Sequence, residues 1–218
     1  VRQALEAIFG EEEAKKHLNR IQALPGDVTL EHFGLGESEF QNLAANISSI
    51  YHFAASTTLN APLPELRAIN VGGTKQVLRF AEAAHRESEQ FQFLHHVSTA
   101  YVAGDRKGTV RPDELLLGNT FRNFYEQSKA ESEQLVRSAD NKVPFRIYRP
   151  SIIVGDSLTG YTSAFNVIYV PAKFLAKGLL KALPALPHIP FDVVPVNYVA
   201  DAIVALKQEN SGRQSFHL

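Results

Sequence analysis

The chain has 218 residues, 44% hydrophobic and 21% charged, and 22 basic against 23 acidic residues leave a formal net charge of −1. A near-neutral chain of this composition is typical of a globular protein and has no global field to attract nucleic acid or an anionic membrane. The absence of cysteine excludes a disulfide scaffold, a thiolate zinc site, an iron–sulfur cluster and a cysteine nucleophile. It also fits a cytoplasmic protein, which is the location we predict. No apolar run approaches the ~18 residues that a membrane-spanning helix needs.

Hydrophobic periodicity predicts alternating helices and strands along the chain. Helical patterns cover residues 1–18, 38–45, 64–86, 123–138, 171–183 and 198–207. Strand-like runs cover residues 47–55, 91–98, 144–154, 192–196 and 216–218. The run at 47–55 lacks periodicity, which favours a strand buried on both faces. The pair Gly72-Gly73 predicts that another segment packs closely against the third helix.

This alternation, at roughly 30–45 residues per unit, predicts βαβ units and an α/β fold with a doubly wound parallel sheet. No linker-like Gly/Ser tract or internal repeat interrupts the order, so we predict a single domain over residues 1–218. The stretch 156–190 departs from the rhythm and is interpreted as an insertion that covers the substrate.

Ligands of such sheets bind at the carboxyl ends of the strands. Small residues at 54–56 follow one predicted strand and would let a cofactor approach the backbone. Ser98 and Thr99 follow the next strand and place two hydroxyls at its end. These strand ends are therefore the predicted place of a functional site.

Tyr125 and Lys129 lie four residues apart on the helix that follows, and therefore on one helix face. A Tyr hydroxyl titrates near pH ~10 in water, and a nearby ammonium favours the phenolate, so this Tyr is predicted to act as an acid or base closer to neutral pH. With a strand-end hydroxyl as a second donor to a carbonyl oxygen, these are the parts of a nicotinamide-dependent carbonyl reductase. The other such pair, Tyr169 and Lys173, contains Pro171 and need not share a helix face. The alternative interpretation of Tyr125 and Lys129 is a surface pair on an amphipathic helix.

Seven segments of the chain, in order, carry a family resemblance: DV at 27–28, YHFAA at 51–55, NVGGT at 70–74, VSTAYV at 97–102, YEQSK at 125–129, YRPSIIVG at 148–155 and DVVPVNYVAD at 192–201. Over essentially its whole length the chain thereby resembles the extended branch of the short-chain dehydrogenase/reductase superfamily. The resemblance implies a Rossmann-like fold and an NAD(P)-dependent oxidoreductase.

The resemblance also implies roles for single residues. Thr99 would bind and polarise the carbonyl oxygen, Tyr125 would donate the proton, and Asn70 would support the active site. Lys129 would hold the nicotinamide ribose and lower the pKa of the Tyr hydroxyl. The residues implied to bind the cofactor, NADP or NAD, are Asp27, Val28, Phe53, Ala54, Ala55, Ser98, Tyr125, Lys129, Pro150, Ser151 and Ile152.

One family feature is missing from the sequence. Neither G-x-x-G-x-x-G nor G-x-G-x-x-G occurs, although the family opens with a strand and a Gly-rich turn that cradles the pyrophosphate. The chain starts at Val1 and contains no Met. We expect the first two strands and the Gly-rich loop to lie upstream, and residues 1–218 alone to bind a dinucleotide weakly or not at all.

The remaining charged and titratable residues give weaker signals. His95 and His96 are adjacent in a predicted strand and point to opposite faces, so packed or solvated histidine is predicted and no metal site. Lys173, Lys177 and Lys181 are spaced by four and predict a basic stripe on one helix. This stripe is either a solvated face or a dock for an anionic phosphopantetheine arm or acidic carrier protein.

The superfamily offers three candidate functions for this chain. A sugar-nucleotide epimerase or dehydratase would grip a diphosphate with Arg, and no Arg lies between Asp156 and Asp192. A non-catalytic dinucleotide-binding module would be expected to lose Tyr125 or Lys129. The sequence of these segments most resembles that of the thioester and fatty acyl-CoA reductases grouped with male-sterility proteins. This resemblance implies NAD(P)H-dependent reduction of an acyl thioester, on CoA or an acyl carrier protein, to an aldehyde or alcohol.

Overall fold

The computed structural model describes residues 2–115, 118, 120–163, 165, 168–182, 191–207, 209 and 214–218. Within these residues the α-helices are α1 (Arg2–Phe9), α2 (Glu11–Leu18), α3 (Glu37–Asn46), α4 (Leu63–Leu66), α5 (Gly73–Glu87), α6 (Phe124–Ser138), α7 (Tyr169–Ala176) and α8 (Val196–Leu206). The strands are β1 (Ser49–His52), β2 (Phe93–Val97), β3 (Phe145–Arg149), β4 (Ile152–Val154), β5 (Val193–Pro195) and β6 (Ser215–His217). None of the described helices has both the length and the apolar character needed to cross a bilayer. The end of the predicted insertion, at 183–190, lies outside the described residues.

The chain divides into two compact units. The first, here called the sheet unit, comprises Leu24–Ser151 and Ala205–Leu218. The second, here called the α7 unit, comprises Val1–Ala23 and Ile152–Val204 and holds the described part of the predicted insertion. The single-domain assignment of residues 1–218 stays a prediction.

A four-stranded parallel sheet organises the sheet unit, in the order β1-β2-β3-β6. The prediction of a Rossmann-like α/β fold with a parallel sheet is confirmed. Val97 at the end of β2 pairs with Tyr148 of β3, and Arg149 pairs with His217 of β6. The carboxyl ends of these strands therefore meet at one edge, where the predicted site residues follow.

The main core of this unit lies between the sheet and its helices. The cluster joins α5, α6 and strands β2 and β3, and its buried members are Val77, Leu78, Ala81, Leu94, Val136, Ala139, Val143, Phe145 and Ile147. A smaller cluster of Phe40, Ala44, Ala83 and Ala84 packs α3 against α5. Because α5 contributes to both clusters, its position relative to the strands is strongly determined.

The predicted burial of β1 on both faces is wrong. Only His52 of this strand is buried, and Tyr51 is 39% exposed. Among the described residues β1 has β2 as its one neighbour, and an edge strand is covered less completely than a central one.

Two predicted elements are interrupted. Gly10, with φ of 78°, separates α1 from α2, so the single helix predicted over 1–18 is wrong. The strand predicted over 144–154 consists of β3 and β4, separated by Pro150 and Ser151. Pro150 has no N–H to donate to a ladder, which favours a break at this point.

A wide π-helical turn, Arg67–Gly72, joins α4 to α5. The helix predicted over 64–86 is therefore continuous but not α-helical throughout. A Cβ on Gly73 would lie 3.1 Å from Cγ2 of Val28, so this glycine permits the close approach that the sequence predicted. The contact brings the 27–28 segment against the start of α5.

In the α7 unit, helix α7 ends at Ala176 because of Gly178, whose φ is 68°. The N–H of Gly178 donates to the carbonyl of Leu175 at 2.9 Å, and the N–H of Leu179 donates to that of Phe174 at 2.9 Å. This pair of hydrogen bonds is the Schellman motif, which needs a left-handed residue just past the helix.

The basic stripe predicted on one helix is therefore wrong in part. Lys173 lies on α7, Lys177 is the C-cap residue of this helix, and Lys181 lies beyond its end. Tyr169 and Lys173 do share the helix, since Pro171 falls in the first turn. The hydroxyl of Tyr169 accepts a hydrogen bond from the N–H of Gly155 at 2.6 Å.

Candidate active site

A capping box fixes the first turn of α6, which carries Tyr125. Asn123 accepts a hydrogen bond from the N–H of Glu126 at 2.9 Å. The Glu126 carboxylate accepts in return from the side-chain amide of Asn123 at 3.4 Å and from the backbone N–H of Arg122 at 3.1 Å. Such reciprocal bonds satisfy the free N–H groups of a helix start and define where the helix begins. The position of Tyr125 is therefore set locally.

The hydroxyl of Thr99 interacts with that of Tyr125. Burial raises the pKa of Tyr125 to about 12, and the interaction with Thr99 offsets part of that rise. This differs from the sequence expectation that Lys129 lowers the pKa of the Tyr hydroxyl. The reason is that burial dominates and the ammonium is directed elsewhere. A phenol with this pKa is a proton donor at neutral pH.

Lys129 is buried, and its ammonium donates a hydrogen bond to the backbone carbonyl of Val97 at 2.9 Å. Burial lowers the pKa of Lys129 to about 8, while the carboxylate of Glu133 acts in the opposite direction. Lys129 thus joins α6 to the end of β2, one residue before Ser98.

Thr99 caps a short 3₁₀ turn, Ala100–Ala103, and its hydroxyl oxygen accepts a hydrogen bond from the N–H of Tyr101 at 3.3 Å. The backbone on each side of Thr99 is held by β3. The N–H of Ser98 donates to the carbonyl of Tyr148 at 2.7 Å, and that of Ala100 donates to the carbonyl of Pro150 at 2.9 Å. The strand end therefore keeps Thr99 buried beside α6.

Asn70 lies in the π-helical turn, a kind of turn frequent at functional sites. Its amide nitrogen donates to the carbonyl of Ser56 at 3.1 Å and to the hydroxyl of Ser128 at 2.9 Å. Its amide oxygen accepts from the N–H of Ser56 at 2.7 Å. The Ser128 hydroxyl donates to the backbone carbonyl of Tyr125 at 2.9 Å. Asn70 therefore connects the loop after β1 to the helix of Tyr125.

Sequence reasoning missed a buried ion pair between Glu133 of α6 and Arg149 of β3. Their side chains are 0% and 1% exposed, and Arg149 Nη2 lies 2.6 Å from Glu133 Oε1. The Ser98 hydroxyl donates to the same carboxylate at 2.6 Å. The sequence signal that could have drawn attention to Glu133 was its spacing. It follows Lys129 by four residues and Tyr125 by eight, and therefore lies on the same helix face.

Several residues implied to bind the cofactor lie at the carboxyl ends of β1 and β3. Phe53 is 60% exposed, Ala54 is exposed and Ala55 is half-buried, so the backbone after β1 is accessible to a ligand. Past β3 and Pro150, the hydroxyl oxygen of Ser151 is buried without a hydrogen-bond partner among the described residues. An accessible small-residue segment and an unsatisfied hydroxyl both fit a dinucleotide at this edge.

The other implied cofactor residues are placed less closely together. Asp27 is exposed, and its carboxylate accepts from the N–H and hydroxyl of Thr29 at 2.8 and 2.7 Å. These hydrogen bonds lower the pKa of Asp27 and keep it ionised. Val28 packs against Gly73 as described above. Ile152 begins β4 in the α7 unit.

The histidines of β2 are buried, as the packed interpretation expects. His95 Nδ1 lies 2.9 Å from the hydroxyl of Tyr148. Within the part of the chain that the structure describes, no group of three or more His, Cys, Asp or Glu side chains could hold a metal ion.

A parallel sheet with Thr99 after the end of a strand, beside a Tyr and a buried Lys four residues apart on the adjacent helix, has the arrangement of the short-chain dehydrogenase/reductase class. The sequence model of the family described as "Male sterility protein", which is named for NAD binding, matches residues 1–203. The chain belongs to this family, and the predicted subgroup is confirmed.

The chain spans a fifth or less of the length of two curated relatives that it matches. Glycine betaine reductase ATRR of Emericella nidulans is 30% identical over 208 residues, 92% of this chain and 16% of that protein. Nonribosomal peptide synthetase asaC of Aspergillus flavus is 32% identical over 215 residues, 93% of this chain and 20% of that protein. The crystal structure of the terminal R domain from the myxalamid PKS-NRPS biosynthetic pathway has a TM-score of 0.84 and 35% identity, over 100% of this chain and 54% of that one.

Proposed function

We propose that this chain provides the catalytic and dinucleotide-binding residues of an NAD(P)H-dependent reductase of acyl thioesters, with NADPH as the expected cofactor. The observation that carries the proposal is the interaction of the Tyr125 hydroxyl with that of the buried Thr99, next to a buried Lys129. Family membership and the relatives named above support it, since one is a reductase and another a nonribosomal peptide synthetase.

The residues divide the work on the substrate carbonyl. When bound, the nicotinamide supplies the hydride. Thr99 and Tyr125 would both donate hydrogen bonds to the thioester oxygen, where negative charge develops. Tyr125 would give its proton to that oxygen, since its pKa of about 12 keeps it protonated at neutral pH. Loss of the thiol from the resulting hemithioacetal leaves the aldehyde, and a second reduction would give the alcohol.

The α7 unit supports an acyl substrate rather than a sugar nucleotide. A cavity of about 720 Å³ in this unit is lined mainly by apolar residues, among them Phe165, Val170, Phe174 and Leu179. Lys173 and Lys177 also line it. An apolar cavity with basic groups fits an acyl chain on an anionic pantetheine arm, carried by CoA or by an acyl carrier protein. The covering role of residues 156–190 stays a prediction.

The test is a product assay with the complete protein. It would be incubated with NADPH or NADH and with a medium-chain acyl thioester on CoA or on a carrier protein, and aldehyde and alcohol would be measured by chromatography. We expect aldehyde or alcohol that depends on cofactor. Epimerisation of a UDP-sugar without thioester reduction would contradict the proposal. The cytoplasmic location would be tested separately by cell fractionation.

A further inference from the structure

One face of α6 contacts three consecutive residues at the end of β2. The hydroxyl of Tyr125 interacts with that of Thr99, and the ammonium of Lys129 donates a hydrogen bond to the carbonyl of Val97. Glu133, a further turn along, accepts from the hydroxyl of Ser98 at 2.6 Å. The positions 125, 129 and 133 lie on one helix face because they are separated by four residues each. The strand end is thus held at three successive points by one rigid element.

The carboxylate of Glu133 has no freedom to move. Oε2 accepts from the Ser98 hydroxyl at 2.6 Å and from Arg149 Nε at 3.0 Å. Oε1 accepts from Arg149 Nη2 at 2.6 Å and from Arg137 Nε at 2.8 Å. A carboxylate offers about four acceptor sites, so all of them are occupied.

Arg149 is equally constrained. Besides Glu133, its guanidinium donates to the backbone carbonyl of Glu114 at 2.8 Å and to that of Arg111 at 3.4 Å. Its Nη1 also lies 3.3 Å from Nε2 of His217. The five N–H groups of a guanidinium therefore all have a contact, which fixes the ion pair relative to β3 and β6.

We propose that Glu133 is a positioning residue for the reaction. Through the Ser98 hydroxyl it fixes the end of β2, so that the hydroxyl of the next residue, Thr99, stays directed at Tyr125. This inference rests on the proposed function. In this proposal the Ser98 hydroxyl binds Glu133 and not the cofactor. The sequence resemblance, in contrast, implied that Ser98 binds the cofactor.

The burial of Ser98 and the short bond to Glu133 support this assignment, since the side chain is 4% exposed and its single O–H is already donated. A cofactor-binding hydroxyl and a positioning hydroxyl also predict different kinetics. Loss of the first raises the dissociation constant of NADPH. Loss of the second leaves that constant unchanged and lowers kcat, because a displacement of about 1 Å of a catalytic group can cost about 10²-fold in rate.

The test replaces Ser98 and leaves the ion pair intact. For Ser98→Ala in the complete protein we expect kcat for thioester reduction to fall by roughly 10- to 100-fold, with the NADPH dissociation constant within about 2-fold of wild type. Ser98→Cys keeps the shape and a weak donor, and should give an intermediate kcat even if the alanine variant folds poorly. Circular dichroism would verify the fold of each variant.

Ser132→Ala is the matched control. Ser132 is also buried on α6, but its hydroxyl bonds to Thr74 at 2.7 Å and not to β2. We expect its kcat to stay near that of wild type. An equal loss of kcat in this control, or a raised NADPH dissociation constant with normal kcat in Ser98→Ala, would overturn the proposal. Tyr125→Phe in the same assay distinguishes failure of the positioning role from failure of the proposed function. An active Tyr125→Phe variant would refute the proposed function itself.

Discussion

The ammonium of Lys129 donates to the backbone carbonyl of Val97 and not to the hydroxyl of Tyr125 four residues away. Burial lowers the pKa of the ammonium to about 8, and burial raises the pKa of the phenol to about 12. The two groups therefore have different roles. The Tyr125 hydroxyl stays protonated and can donate its proton. The Lys129 ammonium binds the end of β2 and keeps its positive charge near neutral pH.

The first prediction concerns the proton donor. Tyr125→Phe removes one hydroxyl and its interaction with Thr99. We expect kcat for thioester reduction to fall by about 10²–10⁴-fold, because a positioned acid contributes that much, while NADPH binding is retained. Steady-state kinetics and a fluorescence titration of NADPH would measure both. Wild-type turnover in this variant would contradict the assignment of Tyr125.

A second prediction concerns Asn70, whose side chain makes three hydrogen bonds in the interior. Asn70→Ala should lower the free energy of unfolding by about 2–4 kcal/mol, since each lost bond counts about 1 kcal/mol and leaves buried partners unsatisfied. Urea denaturation would measure this. Asn46→Ala is the matched control, because Asn46 is exposed and bonds within its own helix, and it should cost less than about 0.5 kcal/mol. If Asn70→Ala and Asn46→Ala lowered the free energy of unfolding equally, the buried hydrogen bonds of Asn70 would not stabilise the fold more than an exposed bond does.

The third prediction is a loss of stability in mild acid. Burial, together with the charge of Lys129, lowers the pKa of His52 from 6.5 to about 4, and burial lowers that of the neighbouring His96 well below its usual value. The unfolded chain therefore binds protons from pH 6.5 downward while the folded chain does not. Stability should fall as the pH decreases through this window, by about 2 kcal/mol between pH 7 and pH 5 for His52 alone.

Urea denaturation at the two pH values would measure the effect in wild type and in His52→Gln. This variant should lose that part of the pH dependence, since glutamine does not titrate. His85→Gln, at an exposed position on α5, is the control and should leave the dependence unchanged. A His52→Gln protein with the full wild-type dependence would show that His52 is not responsible.

The fourth prediction concerns the lysines that line the cavity of the α7 unit. Replacing Lys173 and Lys177 by Gln should raise KM for a CoA or carrier-bound thioester, chiefly at low ionic strength, because exposed charges act through encounter and are screened by salt. Reduction of a small neutral aldehyde should be unaffected. The same replacement of the exposed Lys107 and Lys142 is the control. Equal effects on both substrates would leave the two lysines as part of a solvated face.

Sequence patterns predicted the fold and placed Ser98, Thr99, Tyr125 and Lys129 at one sheet edge. Alternation of strands and helices is a local signal, and so is the spacing of Tyr125 and Lys129, which any α-helix places on one face. The 98–99 pair followed from strand direction alone. These features need no knowledge of what packs around them, and all of them appear in the structure.

The missed features depend on neighbours that no local pattern reveals. The exposure of β1 follows from its place at the edge of the described sheet. The raised pKa of Tyr125 follows chiefly from burial. Arg149 stands in a strand whose other residues favour a buried sheet position, and only the folded chain shows that Glu133 lies 2.6 Å away to neutralise it.

The register of the sheet brings residues that are far apart in the sequence close together in space. Val97 is paired with Tyr148, and the N–H of Ala100 reaches the carbonyl of Pro150 at 2.9 Å. Ladder hydrogen bonds, and not the length of the intervening chain, define how these strand ends meet. Loops between them can therefore gain or lose residues without moving Thr99.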